Sequence, residues 1–149
     1  MKKGKESTLV DGAEVAKIDY RTNKPLSVAQ FVDLLERSTL AAPRPLEDSA
    51  RVQRMLDHAN LTVTAWHGER LVGVARSLTD FGFCCYLSDL AVDEAYQRTG
   101  IGRELVRRTR ETAGEETVLI LLSAPAAMTY YPKIGFEKLD NAFAIKRQQ

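Results

Sequence analysis

Cysteine is scarce, and the two present, Cys84 and Cys85, are neighbours. Adjacent cysteines rarely close an unstrained disulfide, so a disulfide scaffold is excluded and a reducing, cytoplasmic setting is expected. Both lie in an apolar run and read as small buried hydrophobes. Net charge is nearly absent: 21 Lys and Arg against 20 Asp and Glu leave +1. That balance argues against a nucleic-acid partner. No apolar run approaches the roughly 18 residues of a membrane span, and no secretory signal follows the charged start, so no membrane partner is expected. Histidine is limited to His58 and His67, one near a predicted helix end and one in a turn, and no metal site is spelled out.

The 149 residues suit one core. Residues 1–12 are polar and read as a loose tail, leaving 13–149 as a single domain. Glu14 to Tyr20 is a plausible first strand. Ser27 is a good N-cap for a helix over Val28 to Arg37, with Phe31, Leu34 and Leu35 at helical spacing. Pro43 and Pro45 make Ser38 to Pro45 a loop, and Glu47 to Ala59 is a second helix. Leu61 to Trp66 and Leu71 to Leu78 flank a glycine turn and form a hairpin. Phe83 to Val92 is almost wholly apolar and predicts a central strand buried on both faces. Ile101 to Ala113 is a third helix, stopped by Gly114. Thr117 to Leu122 is another buried strand, so strand, helix and strand make a right-handed parallel unit. Pro125 opens a fourth helix, Ala126 to Lys133, and Phe136 to Leu139 with Ala142 to Lys146 reads as a closing hairpin. The fold class is α+β: a mixed, mostly antiparallel sheet with about four helices and one parallel strand pair at its centre.

The chain is organised around Leu87 to Gly102. There an apolar strand meets a glycine-bearing turn that opens a helix. Free N–H groups and the helix dipole at such a start suit phosphate, and Arg98 and Arg103 add positive charge. A dinucleotide fingerprint needs a third glycine where this chain has Leu105, and a P-loop needs Lys after the last glycine where it has Arg103. Gln97-Arg-Thr-Gly-Ile-Gly102 matches a third pattern, Gln/Arg-x-x-Gly-x-Gly/Ala. A tight turn into a helix with no ligand is the bland alternative.

Downstream, Tyr131-Pro-Lys-Ile-Gly-Phe136 resembles Tyr-x-Lys-x-Gly-Phe near the end of the GCN5-related N-acetyltransferases. With the element order, the chain resembles that superfamily from about Val15 to Ile145. The resemblance implies acetyl-CoA as co-substrate and a central strand that bulges and splays from its parallel neighbour. Backbone groups of Leu90, Ala91 and Val92 would then pair with the pantetheine arm, and an amide at or beside Leu90 would polarise the thioester carbonyl. Gln97, Arg98, Thr99, Gly100, Ile101, Gly102 and Arg103 would hold the pyrophosphate. Ser123 and Ala127 would border the cofactor groove, although Ala124 replaces an asparagine often found seven residues before the tyrosine.

By the same resemblance Tyr131 is the general acid for the leaving thiolate, with Tyr130 as the neighbouring alternative. Some relatives place a base at the position of Ser88, which cannot serve unaided. Asp89 is then the nearest candidate, either relaying a proton or pairing with an arginine. The acceptor side falls on the loop of Leu40 and Arg44. Leu40 forms an apolar wall, and Arg44 either binds an acidic group or is solvated. The function implied is transfer of acetyl to a primary amine, of a small molecule foremost, by direct attack in a ternary complex. A protein lysine or N-terminus as acceptor, and a non-catalytic CoA-binding module, are the alternatives. A homodimer is allowed, but no residue specifies it.

Overall fold

Apolar residues alternate along the central segments, and strands form where they do. The computed structural model describes residues 8–10, 13–15 and 17–148. In chain order the elements are β1 (Thr8–Val10), β2 (Ala13–Val15), β3 (Asp19–Thr22), α1 (Val28–Glu36) and α2 (Ser49–His58). Then come β4 (Leu61–His67), β5 (Arg70–Thr79), β6 (Cys84–Val92), α3 (Ile101–Ala113) and β7 (Val118–Ile120). The main sheet runs β3-β4-β5-β6-β7. All its pairings are antiparallel except β6 with β7, which is parallel as the strand-helix-strand pattern requires.

Both faces of the sheet centre are covered. On one, Ile101, Leu105, Val106 and Ala113 of α3 pack on Leu61, Val63, Ala75 and Leu87. On the other, Phe31, Leu34, Leu35 and Val52 of α1 and α2 pack on Trp66, Leu71, Val74 and Ala91. Ser27 caps α1 through a reciprocal box with Gln30, and Asp48 caps α2 by accepting from the Arg51 amide. The two helices are separated because Pro43 and Pro45 deny the intervening loop a regular helix.

Several elements differ from expectation. The first strand divides: β2 pairs with β1, and only β3 joins the main sheet. The predicted tail thus contains a paired strand, while residues 1–7, 11 and 12 lie outside the described residues. The fourth helix is replaced by two 3-10 turns, Pro125–Ala127 and Tyr131–Ile134. Pro132 and the run Thr129-Tyr130-Tyr131 are poor material for a continuous helix, and Gly135 ends it with φ of 100°. The closing hairpin is absent: Phe136 to Lys146 carries no strand, and Phe143 and Ile145 are exposed. The three residues of β7 present few edge groups to template it. Phe83 lies outside β6 and is exposed, as is Cys84, whereas Cys85 is buried. At this end β6 is covered on one face only, so the two cysteines alternate.

Asp93 fastens the exit of β6. Its carboxylate is buried and accepts from the Ala95 amide (2.9 Å), from Arg37 and from Arg70 (3.2 Å). Burial pushes its pKa up, but the amide and the two guanidinium groups outweigh that and hold it below the ordinary value. Asp80, which accepts from the amides of Cys84, Gly82 and Phe83, is lowered to about 2. Each carboxyl binds its proton more weakly folded than unfolded. The stability they contribute is therefore present above the unfolded value near 4 and is lost as pH falls through the folded one. The melting temperature is expected to drop steeply between about pH 4 and 2, and Asp93→Asn should flatten that slope. An unchanged acid slope in that variant would contradict the assignment.

Candidate active site

Along β6 the open edge begins where β7 ends. Parallel pairing covers only Cys84–Val118, Cys85–Leu119 and Tyr86–Ile120. Beyond Tyr86, β6 keeps its pairing to β5 but has no strand on its other side among the described residues. The divergence coincides with a bulge. Asp89 pairs with Arg76 and Leu87 with Ser77, so Ser88 is the extra residue. Leu90, Ala91 and Val92 continue in register with Ala75, Val74 and Gly73, and among the described residues no strand pairs with the other edge of this segment.

Two arginines pin the bulge. Arg44 donates from Nη2 to the Ser88 carbonyl (2.7 Å) and from Nε to Asp89 Oδ1 (2.6 Å). Arg76 donates from Nε to Asp89 Oδ2, from Nη2 to Ser88 Oγ (3.1 Å) and from Nη1 to the Met55 carbonyl (3.0 Å). Asp89 has no exposed surface, and both its oxygens are engaged. Leu40, half-buried, packs against the α1–α2 side of the core. Arg76 is the member of this cluster that sequence reasoning did not single out. Its one signal is an arginine that follows the apolar run Leu71 to Ala75 in the same strand.

After β6, Asp93 caps a short 3-10 turn and Gln97 folds back, its Nε2 donating to the Val92 carbonyl (3.2 Å). Thr99 Oγ1 donates to the Tyr96 carbonyl (2.5 Å). Arg98 has φ of 66° and Gly100 φ of 87°. The first is costly for an arginine, and a strained turn at a helix start is the kind of backbone found at ligand sites. Gly100 is the N-cap of α3 with no side-chain cap, so the amides of the first turn lack intrahelical partners. Ile101 contributes backbone only, because its side chain is in the core. Arg103 Nη2 donates to the Lys133 carbonyl (3.2 Å), which ties this turn to the tyrosine segment.

The two tyrosines face different neighbours. Tyr130 sets its hydroxyl over Gly102, where a Cβ would overlap the oxygen. Tyr131 packs edge-on against Phe136, with ring centroids 5.5 Å apart. Burial pushes its phenol pKa above the usual value and Tyr130 adds to this, while the Arg44 guanidinium pulls it back down. The fold thus brings Tyr131 within the field of the Arg44–Asp89 cluster. Ser123 Oγ donates to the Ala124 carbonyl (2.8 Å). Ser123 and Tyr131 both line a groove of about 270 Å³ outside β7 that contains no β6 residue. Ala127 lies half-buried in the preceding turn. No cluster of metal-ligating side chains occurs among the described residues.

Gly102→Ala separates two reasons for that glycine. The new methyl displaces the Tyr130 hydroxyl and should lower unfolding stability by about 1 kcal/mol, the low end for overpacking because Tyr130 is partly exposed. Tyr130→Phe in the same chain should restore stability. If it does not, Tyr130 is not what the methyl meets.

A family model described as an acetyltransferase (GNAT) domain matches residues 39–146. An uncharacterized N-acetyltransferase of the ycf52-like type from Prochlorococcus marinus is 30% identical over 122 residues, 74% of this chain and 66% of its own length. An uncharacterized ycf52 N-acetyltransferase from Porphyra purpurea is 28% identical, the match covering 64% of this chain and 56% of its length. The chain therefore spans somewhat more than half of these curated relatives. A solved probable acetyltransferase from meticillin-resistant Staphylococcus aureus superposes with a TM-score of 0.71 at 21% identity, covering 87% of this chain and 99% of that one. The family match runs from the Arg44 loop through β6 and the phosphate-type turn to the Tyr131 segment, and the chain belongs to the GNAT acetyltransferase family.

Proposed function

We propose that the chain is an acetyl-CoA-dependent N-acetyltransferase that moves acetyl to a primary amine of a small molecule in a ternary complex. The observation that carries this is that β6 loses its β7 partner beyond Tyr86 and leads, past a short turn, to the uncapped start of α3. A free strand edge suits the amide-bearing pantetheine arm, and partnerless amides at a dipole's positive end suit a pyrophosphate. Leu90, Ala91 and Val92 take the first part, and Gln97 to Arg103 the second. An amide at Leu90 polarises the thioester carbonyl. Tyr131 gives its proton to the departing sulfur. Ser123 and Ala127 border the cofactor.

Asp89 takes a different role from the base that its position on β6 suggested. Both of its oxygens accept from guanidinium groups, one from Arg44 and one from Arg76. We assign it to holding Arg44. Asp89 is the one carboxylate on β6.

A cytoplasmic location belongs to the same proposal, supported by two free cysteines and by the lack of a membrane-length apolar helix among the described residues. The test is a screen of amines with acetyl-CoA, following thiol release together with the acetylated product. Stoichiometric release with small amines is expected. Turnover confined to peptide lysines or N-termini would replace the acceptor class, and tight CoA binding without turnover would replace the enzyme by a binding module.

A further inference from the structure

The cluster beside the bulge is unbalanced in charge. Arg44 and Arg76 contribute +2 and Asp89 −1, so a net +1 sits in a largely desolvated place. The Asp89 side chain is 0% exposed and that of Arg76 6%, against 22% for Arg44. Arg76 directs its donors inward, to Asp89, Ser88 and Met55. Arg44 places Nε on Asp89, Nη2 on the Ser88 carbonyl and Nη1 on the Pro43 carbonyl (3.2 Å). A guanidinium has five N–H donors. Two of those on Arg44 therefore have no protein partner among the described residues, on the most exposed of the three charged side chains. An unmatched charge in a low-dielectric setting favours an anion, and a planar fork favours a carboxylate.

Resting on the acetyltransferase reading, we infer that Arg44 receives a carboxylate of the acceptor. The preferred acceptors are small primary amines that also carry a carboxylate. Asp89 and Arg76 are positioning residues: they hold the Arg44 guanidinium against the bulge with its free donors outward. Arg44 sits on the loop between α1 and α2, and its charge acts on the phenol of Tyr131. Lysine at position 44 would keep the charge and lose the fork.

The experiment compares matched pairs that differ only in the carboxylate: propylamine with 3-aminopropanoate, butylamine with 4-aminobutanoate, and hexylamine with 6-aminohexanoate. Each is titrated calorimetrically into CoA-saturated protein and assayed by thiol release. At least one carboxylated member should be favoured about tenfold in Kd and in kcat/KM, equivalent to about 1.4 kcal/mol. The preference should shrink as salt is raised, because the site is partly exposed. Arg44→Gln and Arg44→Lys should each reduce it to about threefold or less. Arg76→Lys, which keeps the buried charge but not the geometry, should raise KM for the carboxylated member and leave the pH profile of kcat in place.

Equal handling of both members of every pair, or a preference that survives Arg44→Gln, overturns the inference. Plain amines turned over as well as carboxylated ones would do so while leaving the transferase reading intact. Carboxylated amines that bind by preference but accept no acetyl would support the site and remove the transferase.

Discussion

Tyr131→Phe is expected to lower kcat by about 10²- to 10³-fold while acetyl-CoA binding changes by no more than about twofold. The phenol is poised as a donor. Burial is the largest influence on it and raises its pKa above the usual value, Tyr130 raises it further, and Arg44 only partly opposes them. A phenol ordinarily titrates near 10, so this one keeps its proton across the neutral range. The wild-type rate should therefore rise as the acceptor amine deprotonates and should not fall through loss of the tyrosine proton until the pH exceeds about 10. Phenylalanine preserves the edge-on packing against Phe136 and Tyr130, whose centroids lie 5.5 Å and 5.4 Å away, so the backbone of the turn should stay in place. Only the donor is removed. A thiolate leaving without a proton is a poorer leaving group, so the loss should appear in kcat. Tyr130→Phe provides the control, since that hydroxyl lies over Gly102 at the start of α3. Normal transfer by Tyr131→Phe would remove the acid assignment, and the same loss in Tyr130→Phe would move it one residue.

What could be read in the chain divides along physical lines. The turn from Gln97 to Gly102 was legible as a helix opening because the positive φ at Gly100 favours glycine, and glycine is visible in a sequence. The parallel placement of β6 and β7 followed from their apolar character and the helix between them. That Asp89 pairs with an arginine was one of the two readings the sequence offered, but which arginines was not legible, because they come from elsewhere in the fold. Arg76 meets it through the register of β5 on β6, and Arg44 through the path of a proline-bearing loop. Sequence distance hides both. The closing hairpin was predicted from the stretches Phe136 to Leu139 and Ala142 to Lys146 on either side of Asp140-Asn141, but such stretches pair as strands only where an edge is available to receive them. The fourth helix failed for the opposite reason. Its start signal at Pro125 was sound, and the aromatic and proline residues that follow broke the run into turns.

Asp89→Ala is expected to destabilise the fold by about 3–5 kcal/mol, the cost of leaving buried charge without its partner. For a chain of this size that corresponds to a fall of about 6–20 °C in melting temperature. The effect is this large because one carboxylate serves two guanidinium groups, and Arg76 is almost wholly enclosed. Losing Asp89 also loosens the grip of both arginines on Ser88, the extra residue of the bulge that accompanies the parting of β6 from β7. Urea unfolding should show a lower midpoint with an unchanged slope, since the surface exposed on unfolding is the same. Asp89→Leu combined with Arg76→Met should be less destabilised than Asp89→Ala alone, because the enclosed charge leaves with its partner. That comparison separates an anchor from a base. An anchor's loss is seen in the protein without substrate and is relieved when the opposing charge is removed. A base's loss would leave stability within about 1 kcal/mol, abolish turnover, and erase an acidic limb of the pH profile that the Arg76 substitution could not restore.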